Sequence, residues 1–443
     1  MSQAAPLDYR VAPGGQLQGR LRVPGDKSIS HRALLLGAIA EGETQVEGFL
    51  SGADCLATLA AVRALGVAAD MPAPGRVTLK GRGLEGLKAP AAPLDLGNSG
   101  TAMRLLTGLL AGQDFISTLT GDASLSRRPM KRVIEPLSTM GARIESKNGT
   151  APLTIHGVRP LKPMRYQMPV PSAQVKSALL LAGLYAGGYS WIKEPGPSRD
   201  HTERMLQAFG HDCLREGNWV GIHGGGPLRA AHIEVPGDLS SAAFFLAGAA
   251  MTPGSELVLE NVGVNPTRDG VIRLLRAMGA DIRFSNPRFS GAEPVADLSV
   301  RGGTLHGTDI GAELVALAID DIPAVLVAAA AARGVTRVRG AAELRVKESD
   351  RLQAMQVGLT ALGVPVELSQ DGISVTGVER FRGGEVQSHA DHRIAMAFAL
   401  AALRAEAPLT ILDCANVDTS FPGFVAMAAG AGLGIAAAER RAA

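Results

Sequence analysis

The sequence predicts an α/β protein of α+β repeats in two lobes, each an inside-out α/β barrel of three βαβ-type units with apolar helices inside. Three observations predict it. One kind of segment recurs, with a polar or glycine-rich start, an apolar helical run and an exit toward a β-like run. A second, more amphipathic helix recurs between copies and ends near a glycine, the usual left-handed stop. The pairs repeat at a spacing of roughly 65 to 85 residues, the signature of an internal repeat.

The apolar kind reads "PGDKSISHRALLLGAIAEG" from Pro24, "LGNSGTAMRLLTGLLAG" from Leu96 and "PSAQVKSALLLAGLYAGG" from Pro171. It returns as "PGDLSSAAFFLAGAAMTPG" from Pro236, "IDDIPAVLVAAAAARG" from Ile319 and "ADHRIAMAFALAALRA" from Ala390. "TQVEGF", "SELVLENV", "VTRVRG" and "LTILDC" are among the β-like runs. The second kind includes "LATLAAVRALGVAA", "RVIEPLSTMGARIE", "VIRLLRAMGADIRF" and "FVAMAAGAGLGIAA". A unit that cannot bury its apolar helix alone gathers it with others, which puts helices inside and sheets outside. Three units per core divide the chain into residues 24–236 and residues 237–443. The N-terminal strand "GQLQGRLRV" assigns residues 1–23 to the second lobe.

Composition narrows the function. Lys+Arg 44 against Asp+Glu 42 leaves a net charge of +2, so no basic stripe advertises nucleic acid. Cys55, Cys213 and Cys414 are odd in number with no C-x-x-C, which predicts reduced thiols and neither disulfide nor zinc. "MSQAAPLDYRVAPGG" lacks the apolar core of a signal peptide, and no apolar run reaches the roughly 20 residues of a membrane span. A cytoplasmic protein without membrane or nucleic-acid partners is expected.

The helix starts carry the chemistry. Ser28, Asn98, Ser99, Ser172 and Ser240 stand at such starts, where each taken singly is an ordinary cap. Lys27, Arg32, Arg128, Arg199, Lys347, Arg351 and Arg393 border them too. Cations at helix N-termini oppose the macrodipole, whereas a bound anion satisfies both. The repeated arrangement predicts a binding surface for anionic small molecules on the first turns of core helices. Glu348 lies among these cations, and Asp320 and Asp321 open an apolar helix. Ion pairing and helix capping account for them singly; together they supply an acid and a base for proton transfer.

The motifs together resemble 5-enolpyruvylshikimate-3-phosphate synthases. They are "PGDKSISHRALLLGAIAEG", "LGNSGTAMRLLTGLLAG", "SRRPMKRV", "SAQVKSALLLAGL", "RDHTERML", "KESDR" and "DHRIAM", running from Pro24 to about Phe424 in that family's order. The resemblance implies two lobes of three units each, with the active site in the cleft between them. It implies addition of the 5-hydroxyl of shikimate 3-phosphate to phosphoenolpyruvate, protonation at C3, and loss of inorganic phosphate from a tetrahedral intermediate. It implies no metal and no organic cofactor.

Residue by residue, it places Lys27 against both substrates as a proton carrier, and Ser28 and Arg32 on the shikimate ring. Ser172, Ala173, Gln174, Ser198 and Arg199 surround the 3-phosphate. Arg128 grips the phosphate of phosphoenolpyruvate, and Arg351 and Arg393, beside Lys347, take its carboxylate. Asn98, Gly100 and Thr101 line the same pocket. Glu348 delivers the proton to C3, Asp320 is the base at the 5-hydroxyl, and His392 either supports proton transfer or is structural; His31 and His201 are structural. Gly100, rather than an alanine, implies competitive inhibition by glyphosate. A monomer is expected.

Two departures bear on phosphate contacts. Ala173 replaces a serine of other members, and "DTSFPGF" places Ser420 where some carry a lysine. The sister enzyme acting on UDP-N-acetylglucosamine carries a reactive cysteine before its Arg-Pro, and "TGDASLSRRPM" has none. RNA 3′-phosphate cyclases share a related unit, but a near-neutral chain does not point to RNA. A non-catalytic binder of phosphorylated metabolites needs the cations but neither Glu348 nor Asp320.

Overall fold

A computed structural model describes residues 7–439. The chain divides into two compact units: Met1–Pro24, Gly237–Arg288 and Pro294–Ala443 form one, and Gly25–Pro236 with Phe289–Glu293 the other. We call these the terminal unit and the inserted unit. The second interrupts the first between strand Gln18–Leu21 and helix Leu239–Ala250. That strand pairs in parallel with Glu256–Gly263, so the terminal unit's first repeat is closed by residues far apart in sequence.

There are six sheets among the described residues, three per unit. The repeat is plain at Leu94–His156. Strand Leu94–Asp95 runs parallel to Ile116–Thr120, and the crossover between them is helix Gly100–Ala111. A parallel pair cannot be joined by a tight turn, and the apolar helix supplies the connection. Helix Lys131–Thr139 follows, then the antiparallel strands Arg143–Lys147 and Thr150–His156. The same order recurs around helices Ala173–Gly183, Ile322–Ala330 and His392–Ala401.

The apolar helices are core, as their composition requires. Every residue of Leu239–Ala250, Ile322–Ala330 and His392–Ala401 is buried, as is Lys27–Ile39 from Ile29 onward. Each Leu, Ile or Phe so enclosed contributes about 1.5–3 kcal/mol relative to exposure. Phe245 packs at 6.0 Å and 6.1 Å between centroids against Phe421 and Phe424, which locks the C-terminal segment onto the terminal unit's core.

In the inserted unit, helices Gly100–Ala111 and Ala173–Gly183 meet through Gly108. A β-carbon there would stand 2.1 Å from the carbonyl oxygen of Ala178, so only glycine permits this approach. The close crossing brings the two helix starts together, and both starts carry candidate site residues.

Candidate active site

The inserted unit gathers one set of these residues on three helix starts and two loops. Lys27 opens its helix, and its ammonium pairs with Asp54 at 3.0 Å. Arg32 is buried one turn on. It donates from Nε to Thr202 at 2.7 Å, from Nη2 to Ser177 at 2.7 Å, and from Nη1 to the Ser28 carbonyl at 2.9 Å. Burial, opposed by Glu203 and Asp26 and reinforced by Arg199, brings its pKa down to about 10, so it stays charged at neutral pH.

Around Gly100 the contacts interlock. Arg128 donates to Asn98 Oδ1 at 2.5 Å, and Asn98 donates to Asp122 at 2.7 Å. Gln174 donates to Thr101 at 2.9 Å and accepts from Arg104 at 2.6 Å. The hydroxyl of Ser198 donates to Glu194. Arg199 lies near enough to Arg32 for their charges to repel. Five cations, Lys27, Arg32, Arg104, Arg128 and Arg199, thus border one array of hydroxyls and amides.

The terminal unit holds the second set. Arg351 is 1% exposed and sits among three carboxylates: Glu348 at 2.6 Å, Asp391 at 2.8 Å and Asp320 at 3.3 Å. Burial disfavours its charge, but Asp391, Glu348 and Asp320 outweigh that and hold its pKa above the ordinary arginine value. Lys347 lies 3.5 Å from Asp320. Arg393 donates to the Asp320 carbonyl at 2.9 Å and to Asp321 at 3.3 Å. His392 is buried at the same helix start. Asp320, Lys347, Glu348, Arg351 and Arg393 therefore form one contiguous cluster.

The capping differs in detail from the sequence expectation. Ser99 and Ser172 do cap their helices, accepting from Ala102 and Val175. Ser28 and Ser240 do not, because the aspartate two residues earlier takes the role: Asp26 accepts from Ile29, and Asp238 from Ser240. Asp350 and Asp391 cap the helices that begin at Arg351 and His392. An ionised carboxylate is the stronger acceptor at the positive end of the dipole. Capping by Asp26 leaves Ser28 for other partners.

Sequence reasoning missed Asp54, Arg104, Asp122, Glu194 and Asp391, which hold the cations and amides in place. One signal was available: Arg104 is the only charged residue of helix Gly100–Ala111. Among the described residues no group of three or more His, Cys, Asp or Glu side chains is arranged to hold a metal ion, and no helix is long and apolar enough to cross a membrane.

Comparison with known proteins gives this arrangement its context. The model of EPSP synthase (3-phosphoshikimate 1-carboxyvinyltransferase) matches residues 11–427. The 3-phosphoshikimate 1-carboxyvinyltransferase of Alkalilimnicola ehrlichii is 62% identical over 430 residues, 97% of this chain and 96% of that one. The enzyme of the same name from Methylococcus capsulatus is 60% identical over 428 residues, 96% of this chain and 98% of that one. The solved EPSP synthase of Acinetobacter baumannii is 51% identical, with a TM-score of 0.88 over 98% of this chain and 100% of that one. With every motif of the two clusters lying inside the matched span, the chain belongs to the EPSP synthase family.

Proposed function

We propose that this chain, an enolpyruvyl transferase of the EPSP synthase family, works through the two clusters as follows. The inserted unit's cluster takes shikimate 3-phosphate. Ser172, Ala173, Gln174, Ser198 and Arg199 receive the 3-phosphate, while Ser28 and Arg32 hold the ring and its carboxylate. Arg128, fixed by Asn98 and bordered by Gly100, Thr101 and Gln174, takes the phosphate of phosphoenolpyruvate. Arg351 and Arg393, with Lys347 beside them, take its carboxylate, a planar group suited to a guanidinium fork.

Proton transfer falls to Lys27, Asp320 and Glu348. Asp320 withdraws the proton of the 5-hydroxyl as its oxygen bonds to C2 of phosphoenolpyruvate. Glu348 delivers a proton to C3. In the second half C3 returns a proton to Glu348 as the C2–O bond to phosphate breaks and the C2=C3 double bond re-forms, while Lys27, positioned by Asp54, gives a proton to the departing bridging oxygen. The product is the enolpyruvyl ether and inorganic phosphate. Glu348 shares Arg351 with Asp391 and Asp320. When the donor's carboxylate takes that guanidinium, Glu348 loses part of its ion pair and holds a proton more readily. His392, beside Arg393 at the start of its own helix, either supports proton transfer or is structural.

One observation carries the proposal: two carboxylates, Asp320 and Glu348, lie within 3.3 Å and 2.6 Å of one buried arginine, in a chain matched by the family over residues 11–427. A protein that only bound phosphorylated metabolites would need these carboxylates solely as ion-pair partners of Arg351. Competition by glyphosate for the phosphoenolpyruvate subsite, and action as a monomer in the cytoplasm, belong to the same proposal. Incubation with both substrates should release inorganic phosphate in step with the enolpyruvyl ether. Binding of both without release would leave the binder reading.

A further inference from the structure

Lys176 is the only charged residue of helix Ala173–Gly183 and is fully buried. Its ammonium lies 3.1 Å from Glu194 Oε1 and 2.7 Å from Glu203 Oε1, each carboxylate side chain being 8% exposed. A charge brought this far from water is costly unless closely paired, and an apolar residue of similar size would fill the same space more cheaply. The three groups come from three segments. Lys176 stands one turn past Ser172, Ala173 and Gln174. Glu194 begins the loop that carries Ser198 and Arg199, and Glu203 lies on helix His201–Ala208, which that loop enters.

Glu194 joins this ion cluster to the site, because its Oε1 also accepts the hydroxyl of Ser198. A serine that donates to Glu194 offers only lone pairs to a phosphate, and two such groups repel. To bind the phosphate its hydroxyl must turn and donate outward. Glu194 then becomes a buried carboxylate short of a donor, unless another cation stays with it. Glu203 also pairs with Arg215 at 3.1 Å, so it keeps a partner of its own. Glu194 is left with Lys176.

We propose that Lys176 is a positioning residue for the acceptor substrate: it holds Glu194 while the Ser198 hydroxyl turns to the phosphate, and ties the Ser198–Arg199 loop to the Ser172–Gln174 helix start. This rests on the functional reading above. Replacing Lys176 by methionine removes the ammonium at nearly constant volume and leaves two buried carboxylates facing each other.

The test is titration calorimetry of shikimate 3-phosphate into the full chain, with melting temperature recorded separately, for wild type, Lys176→Met, Ser198→Ala and the double variant. We expect Lys176→Met to weaken binding on the order of tenfold. Because it acts through Ser198, the double variant should be within about twofold of the weaker single variant. Unchanged affinity with a lowered melting temperature would make Lys176 a stability residue only, and additive losses would remove Ser198 from its action; either overturns the inference. Should Lys176→Met not fold, Glu194→Gln replaces it in the same cycle, where coupling to Ser198→Ala supports the inference and additivity or unchanged affinity overturns it. A wild type that does not bind shikimate 3-phosphate overturns the functional reading itself.

Discussion

The guanidinium of Arg128 ends 3.1 Å from the point where a β-carbon on Gly100 would stand, and that of Arg104 ends 2.9 Å from it. A methyl group there must displace the tips of two flexible side chains and no backbone. Gly100→Ala should therefore fold normally. It should shift Arg128 and narrow the subsite assigned to phosphoenolpyruvate. Glyphosate, longer than the donor, should lose about tenfold or more in affinity, while the donor's KM rises only a few-fold. Paired inhibition and saturation curves on both proteins check this. Equal losses for donor and inhibitor would count against the subsite assignment.

Arg128→Ala removes the guanidinium that Asn98 orients at 2.5 Å. The KM for phosphoenolpyruvate should rise by one to two orders of magnitude, in the range of a lost charge-assisted contact of about 1.5–3 kcal/mol. Shikimate 3-phosphate binding, measured alone, should change much less. Equal weakening would move Arg128 out of the donor subsite.

Glu348→Gln keeps a hydrogen-bonding partner for Arg351 but cannot carry the proton. Turnover should fall about 10²- to 10⁴-fold with shikimate 3-phosphate affinity retained. A variant within a few-fold of wild type would exclude Glu348 as the acid.

His31 gives a pH prediction. Its ring accepts or donates at 2.8 Å to Thr58, and at 3.4 Å to Ser99, the cap of the Gly100 helix. Burial first, then Lys27 and Arg32, hold its pKa well below the ordinary histidine value. The folded chain keeps the ring neutral, while the unfolded chain protonates it below about pH 6.5. The stability linked to this residue is thus present above that pH and lost as pH falls, with a limiting slope of about 1.4 kcal/mol per pH unit. Denaturant unfolding at pH 7.5 and pH 5.5 should show wild type losing more stability than His31→Gln. Equal losses would mean that the ring is charged in the folded state or contributes nothing.

The core was legible because the apolar helices announce themselves: Leu239–Ala250 has no charged residue and no exposed one. Each of the six sheets among the described residues goes with one such helix, and four of the helices, Gly100–Ala111, Ala173–Gly183, Ile322–Ala330 and His392–Ala401, are parallel crossovers within one sheet. Lys27, Arg128, Arg351 and Arg393 stood out in the sequence because cations near helix starts oppose the local dipole, but Lys27, Arg351 and Arg393 have carboxylate partners within the protein that the sequence did not show. Asp391 and Asp54 were not, since an aspartate near a helix start reads as a cap whatever else it holds. Asp391 does both, capping its helix while gripping Arg351. Nor does sequence show that Asp26 relieves Ser28 of capping, because both residue types are good caps and only the backbone geometry chooses between them.

The most direct test of the account is a single assay of the full chain with shikimate 3-phosphate and phosphoenolpyruvate together, reading inorganic phosphate and the enolpyruvyl ether. Equal molar release of the two, abolished by omitting either substrate, is expected. Phosphate release that needs a UDP-sugar acceptor, or binding of both substrates with no release at all, would contradict it.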